Sequence, residues 1–144
     1  MLRTLHIETN VPRRLLVGDL VLFLLWAAML FTAATLSPDP SGHGTHRQLG
    51  LPPCAFNAAT GKLCPSCGLT TSFTAMAHLD VQSATRAHAL GPVLFGLMAV
   101  FSVYFLSKFL FAYRVVLPYR TVLTVNFTAL GLYLAYGIAR IFLI

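Results

Sequence analysis

The sequence predicts an all-α integral membrane protein with three transmembrane helices. Of its 144 residues, 57% are hydrophobic and 10% are charged, whereas a soluble domain carries about 25% charged residues. The mean hydropathy is +0.76, and three apolar stretches are long enough to cross a bilayer, which takes about 20 helical residues. The net charge of +6 is scattered beside these stretches. Such a distribution sets membrane topology and argues against a nucleic-acid partner, so the lipid bilayer is the first partner predicted.

The predicted spans cover about residues 17–36, 91–113 and 121–144, within a single membrane domain. Prolines follow the first span, open the second and separate the second from the third, as expected where helices begin and end. Lys108 and Arg140 lie near the ends of the second and third spans. We expect both side chains to reach towards the lipid headgroups.

The cationic residues near the spans predict the orientation of the chain. One side carries six Lys or Arg residues and the other carries four, and the richer side of a membrane protein is usually cytoplasmic. We therefore predict a multi-pass protein of the cell (inner) membrane, with a cytoplasmic N-terminus and residues 37–90 outside. The richer side holds Arg3, Arg13, Arg14, Lys108, Arg114 and Arg120, and the other holds Arg47, Lys62, Arg86 and Arg140.

Two short interfacial helices are predicted within residues 37–90. Leu69, Phe73 and Met76 recur at helical spacing, which indicates a first helix after residue 68. Asp80 is a typical N-cap residue and predicts a second helix over residues 81–89. Both segments are less apolar than the spans, so we expect them to lie at the membrane surface or against the bundle.

Small residues repeat every four positions in the third span, at Gly131, Ala135 and Ala139. Such a face allows close helix contact. It serves either packing within this chain, or docking to a larger membrane-protein partner or to a second copy.

The three cysteines all fall within residues 37–90, two of them in a Cys-Pro-Ser-Cys-Gly run at positions 64–68. Pro65 and Gly68 favour a turn that directs the sulfurs of Cys64 and Cys67 to one side. This geometry suits half of a tetrahedral zinc site, with Cys54 as a third ligand. His43 or His46 would be the fourth ligand, because a continuous helix would place His78 about 16 Å from Cys67.

Other chemistry fits the same residues. Outside the cytoplasm, cysteines tend to be oxidised, so Cys54 could pair with Cys64 or Cys67, or the last two could pair with each other. If the orientation is reversed, all three are simply reduced thiols. The pairing therefore stays open, as does the choice between a disulfide and a metal.

The run from Cys64 to Thr70, Cys-Pro-Ser-Cys-Gly-Leu-Thr, resembles the hallmark Cys-Pro-x-Cys-Gly-Leu-Thr-Arg of an uncharacterised bacterial membrane-protein family, Domain of Unknown Function 2752. The resemblance covers about residues 51–92 and includes an earlier cysteine matching Cys54. Thr71 stands where the family has arginine, and Leu79-Asp80 matches a Gly-Asp pair. The resemblance implies a small polytopic membrane protein with a cysteine knuckle beside the bilayer, and it supplies no reaction.

The sequence favours a non-enzymatic accessory or interaction subunit, with the cysteine knuckle as a structural disulfide or metal site. The chain has four carboxylates, and no two are close in sequence, so no acid–base pair is indicated. The alternatives are a membrane thiol–disulfide relay and a metal-handling protein, both using the Cys-Pro-x-Cys-Gly motif.

Overall fold

The computed structural model describes residues 6–143, and the side chains of residues 6–142. Arg3, which contributes to the predicted orientation, and Ile144, the last residue of the predicted third span, lie outside the described residues. The structure is 69% helical with almost no strand, so the predicted all-α class is confirmed. Its helices are α1 (Val17–Thr35), α2 (Ala55–Thr60), α3 (Leu69–Ala77), α4 (Val81–Ala87), α5 (Gly91–Phe111) and α6 (Tyr119–Leu143).

Three of these helices, α1, α5 and α6, are long and apolar enough to cross a membrane. Short 3-10 helices at Arg13–Leu16 and Thr45–Leu49 precede α1 and α2. The long helices agree with the fold class predicted from the apolar stretches. The orientation of the chain in the membrane stays a prediction.

A small antiparallel strand pair joins the N-terminal segment to the connection between α5 and α6. Strand β1 (His6–Glu8) pairs with β2 (Arg114–Val116), with His6 opposite Val116. The Val11 N–H also donates to the carbonyl of Ala112 at 2.9 Å. The sequence did not predict this pair, which brings together two basic segments that the charge count assigned to the same side.

Helices α1 and α5 pack against each other along the bundle. The Trp26 ring meets the Phe101 and Phe105 rings edge-on, with ring centroids 5.8 Å and 5.7 Å apart. Next to this aromatic cluster, Lys108 Nζ lies 2.5 Å from Asp19 Oδ1, and the two side chains are 11% and 13% exposed. The expectation that Lys108 reaches the headgroups is therefore wrong, because its ammonium group binds a carboxylate within the chain.

Helices α3 and α4 are the two short helices that the sequence predicted. Asp80 caps α4, since its Oδ1 accepts a hydrogen bond from Ser83 N–H at 2.9 Å. Helix α3 buries its small polar face more fully than its apolar one, and Ser72 Oγ donates to the Ala84 carbonyl at 2.8 Å. Its apolar face meets the membrane helices through Phe73, whose ring centroid lies 5.6 Å from that of Phe95.

Helix α6 meets residues 37–90 near its C-terminal end. Arg140 is 5% exposed, and its Nη2 donates to the Ala87 carbonyl at 2.8 Å. The expectation that Arg140 extends to the headgroups is wrong, because a backbone carbonyl of the chain binds its guanidinium. Gly131, Ala135 and Ala139 are all exposed in this chain, so the fold does not use them to pack α6 against the other helices.

Candidate metal centre

The three cysteines converge at the amino end of α3. Their Sγ atoms all lie within 4.8 Å of one another, and Cys64 Sγ is 2.6 Å from Cys67 Sγ. Cys54 and Cys64 are half-buried, Cys67 is buried, and all three are free thiols. The sequence predicted that these residues act together, and the fold brings them together.

The chain between Cys54 and Cys64 folds back on itself, so that these two cysteines lie close together. Cys54 is the N-cap residue of α2, and Gly61 caps the other end of that helix with a φ of +69°, a conformation that glycine adopts without strain. Asn57 Nδ2 donates to the Lys62 carbonyl at 3.1 Å, and this bond fixes the segment that follows α2. The second turn then closes through the Cys67 N–H, which donates to the Cys64 carbonyl at 3.1 Å.

Gly68 fixes the cysteine turn against two other segments. Its φ is +83°, and an added Cβ would lie 2.4 Å from the Ala87 carbonyl oxygen and 2.7 Å from that of Gly42. Real Cβ atoms do not approach backbone oxygens this closely. Glycine is therefore required here, both for the turn and for the contact with the end of α4.

Pro65 is held on the other side of the turn by His88 and α6. His88 is 1% exposed, and its Nε2 lies 3.1 Å from the Pro65 carbonyl, which accepts the hydrogen bond. Burial lowers the pKa of His88; the bond to Pro65 opposes this shift, and the charge of Arg140 adds to it. The ring is neutral at pH 7, because its pKa falls below the ordinary value of 6.5.

Gly137 lets the Pro65 ring approach α6. An added Cβ at Gly137 would lie 2.7 Å from Pro65 Cβ. Tyr136 also contacts this region, since its hydroxyl accepts a hydrogen bond from Ala89 N–H at 3.2 Å and its ring centroid lies 5.2 Å from that of His88. Helix α6 therefore supports the cysteine turn.

The sequence did not predict these supporting residues, which lie in α6 and at the end of α4. The one available signal was the charge of Arg140 inside an apolar span, which by default marks a functional position. The contacts of Gly137 and His88 depend on residues more than 20 positions away, and no local sequence pattern predicts such contacts.

The two cysteines of the turn have opposite pKa shifts. Partial burial would raise the pKa of Cys64, but hydrogen bonds from Cys67, Ser66 and Cys54 outweigh it and lower the pKa to about 7. For Cys67, burial and the bond to Cys64 raise the pKa to about 12. The pair therefore loses its first proton near neutral pH, and the thiolate forms mainly on Cys64.

The predicted histidine ligands lie beside the sulfurs but do not join them. His43, His46 and Thr70 line the same cavity as the three cysteines, a space of about 410 Å³. His43 Nδ1 lies 3.0 Å from the Ser41 carbonyl, and His46 Nε2 lies 3.2 Å from the Pro52 carbonyl. Within residues 6–143, no histidine or carboxylate completes the cluster of three sulfurs.

His78 stays away from the cluster, as the helical spacing predicted. Its Nε2 lies 2.9 Å from the Leu36 carbonyl at the end of α1. The residue therefore ties α3 to the first long helix and takes no part in the cysteine site.

Three converging thiols match the requirements of a soft or borderline metal ion. In a tetrahedral zinc site the bonds to sulfur are about 2.3 Å, which places the sulfurs about 3.8 Å apart. The sulfurs here lie within 4.8 Å of one another, so small side-chain rotations suffice to reach that spacing. Zinc and Cu(I) both prefer such donors.

These features define a small helical protein with three candidate membrane-spanning helices and a cysteine cluster that can hold a metal ion. Residues 54–102 match the model of the family described as protein of unknown function (DUF2752). The resemblance predicted over about residues 51–92 is confirmed, and the match extends into α5. No curated protein and no solved structure significantly matches the chain.

Proposed function

We propose that this chain is a membrane accessory protein whose Cys54, Cys64 and Cys67 bind one zinc ion. The ion would hold residues 37–90 in the shape that a larger membrane partner recognises. The observation that carries the proposal is the convergence of all three sulfurs within 4.8 Å.

A metal uses these three thiols more completely than a disulfide does. A disulfide between any two cysteines leaves the third sulfur as a free thiol beside it, whereas a metal ion engages all three. Metal binding also requires thiolates, and the pKa of Cys64, lowered to about 7, supplies the first thiolate at neutral pH. The metal would displace the remaining protons.

The proposed partner surface is the exposed small-residue face of α6. Gly131, Ala135 and Ala139 are exposed in the chain, and in a bilayer such residues allow another helix to approach closely. Either a larger membrane protein or a second copy would pack there. In the proposed orientation the N-terminus is cytoplasmic, and residues 37–90 face the outside of the cell (inner) membrane.

Metal content and free-thiol count test the proposal directly. The full chain would be purified in mild detergent without reductant or chelator. We expect about one zinc per chain and thiols that react only after chelation. Cys54→Ser should lose the metal, whereas Ser66→Ala keeps all three sulfur ligands and should retain it. A metal-free protein with one disulfide and one free thiol would contradict the proposal.

A thiol–disulfide relay is the second candidate, favoured by the 2.6 Å approach of Cys64 Sγ to Cys67 Sγ. In this role a Cys64–Cys67 disulfide would take two electrons from a substrate dithiol, which becomes a disulfide. A membrane quinone would then reoxidise the pair. Rapid reaction of Cys64 with a maleimide after mild reduction of a metal-free protein would favour the relay, and slow reaction would exclude it.

A further inference from the structure

We propose that the metal centre keeps its fourth coordination position open to the adjoining cavity, where a small anionic ligand binds the metal. This inference rests on the metal site proposed above. It goes further by assigning a ligand class to the cavity and by giving the metal an exchangeable ligand in addition to its structural role.

The first support is the donor set. The three sulfurs line the cavity, and within residues 6–143 no fourth His or carboxylate donor joins them. His43 and His46 each have one ring nitrogen bonded to a carbonyl, that of Ser41 or of Pro52, and the other ring nitrogen of each lies outside the cluster of mutually close ligand atoms. Structural zinc sites have four protein ligands, whereas sites that bind an external ligand have three protein ligands and an open position.

The second support is the size of the cavity. Its volume is about 410 Å³, within the roughly 300–1,000 Å³ typical of small-molecule sites. A water molecule alone would not require this space. A ligand of several heavy atoms can therefore reach the metal from the cavity.

The third support is charge. The Arg47 side chain lines the cavity together with Thr70 and Thr71 from the first turn of α3, where the helix dipole is positive. The carboxylate of Asp39 also lines it; hydrogen bonds from the Ser41 N–H and hydroxyl groups lower its pKa and keep it ionised, and the charge of Arg47 acts on it. Arg47 and the α3 terminus therefore oppose the charge of Asp39, and they are the groups of this lining that attract an anion.

The binding step involves no change of oxidation state. The anion would donate a lone pair to the metal at its fourth position and would leave the three metal–sulfur bonds intact. Arg47 offsets the negative charge that accumulates when a dication already has three thiolate ligands.

An azide titration of the full chain in detergent, loaded with cobalt(II) in place of zinc, tests the inference. The visible absorption of cobalt reports its ligands. We expect azide to change this spectrum saturably, and Arg47→Ala to weaken azide binding about two- to fivefold, the loss of one exposed charge contact. Arg86→Ala is the matched control, because Arg86 lies on α4 and does not line this cavity; it should bind azide like the unmodified chain.

The same experiment separates two kinds of failure. If cobalt binds but azide leaves the spectrum unchanged, and a His43→Ala/His46→Ala variant alters that spectrum, a histidine fills the fourth position and only this inference is overturned. If cobalt does not bind at all, the metal site of the proposed function fails as well. Equal weakening by Arg47→Ala and Arg86→Ala would refute the role of Arg47.

Discussion

The contact between Gly137 of α6 and Pro65 of the cysteine turn makes Gly137→Ala an informative substitution. The new Cβ would lie 2.7 Å from Pro65 Cβ and 3.1 Å from Pro65 Cγ. Favourable carbon–carbon contacts are about 3.5–4.0 Å, so the helix or the turn has to move by on the order of 1 Å. The turn carries Cys64 and Cys67, and its displacement moves two of the three sulfurs.

Gly131→Ala on the same helix isolates this effect. An added Cβ at position 131 meets no heavy atom within 4 Å. Both substitutions gain about 1 kcal/mol of helix propensity, but only Gly137→Ala has an over-packing cost of about 1–3 kcal/mol. The free energies of unfolding of the two variants should therefore differ by about 1–3 kcal/mol, with Gly137→Ala the less stable.

Two measurements in the same detergent check this prediction. Thermal unfolding followed by circular dichroism gives the stability difference. Competition with a chelator gives the zinc affinity, which should fall about 10- to 100-fold in Gly137→Ala, the loss typical when the support of a metal ligand is removed. Equal melting temperatures and equal zinc affinities in the two variants would refute the argument that α6 supports the turn.

Three further predictions follow from other contacts. Leu79 has a φ of +62°, so Leu79→Gly should raise the melting temperature by relieving about 1 kcal/mol of backbone strain; an equal gain from Leu79→Ala would show that strain is not the cause. Asp19 and Lys108 form a mostly buried ion pair, so Asp19→Asn or Lys108→Met alone should cost about 3–5 kcal/mol. The double variant should cost less than the sum in a double-mutant cycle, and additive losses would contradict coupling. The hydrogen bond from Cys67 helps lower the pKa of Cys64 to about 7, so alkylation of Cys64 in the metal-free protein should rise through pH 7 as the thiolate forms. Cys67→Ser keeps a hydrogen-bond donor at this position and Cys67→Ala removes it, so the midpoint should move up towards pH 9 most in Cys67→Ala; an unchanged midpoint in Cys67→Ala would contradict the assignment.

The elements predicted well from the sequence are those that depend on local patterns. The long helices follow from the length of the apolar runs, and α4 follows from the capping side chain of Asp80. The cysteine cluster was also predicted in part, because Cys64 and Cys67 share one turn and chain proximity limits where Cys54 can go.

The elements that were missed depend on distant partners. Strands β1 and β2 are three residues each and lie more than 100 positions apart, so neither has a recognisable pattern alone. The burial of Arg140 depends on the carbonyl of Ala87, and a carbonyl is present at every position of every sequence. The burial of small polar residues on α3 likewise depends on a close neighbour, since Gly91 leaves room for Ser72.

The contacts of α6 near its C-terminal end make bilayer thickness relevant to the cysteine site. Its contacts with the cysteine segment and with α4 lie between Tyr136 and Phe142, and from Tyr119 to Ala135 the described side chains include none that is buried. At 1.5 Å per residue, this part of α6 is about 25 Å long. Helices adjust to thicker or thinner bilayers by tilting. We expect a tilt of α6 to act on its contact with Pro65 at Gly137, so that the acyl-chain length of the surrounding lipid would change the position of Pro65.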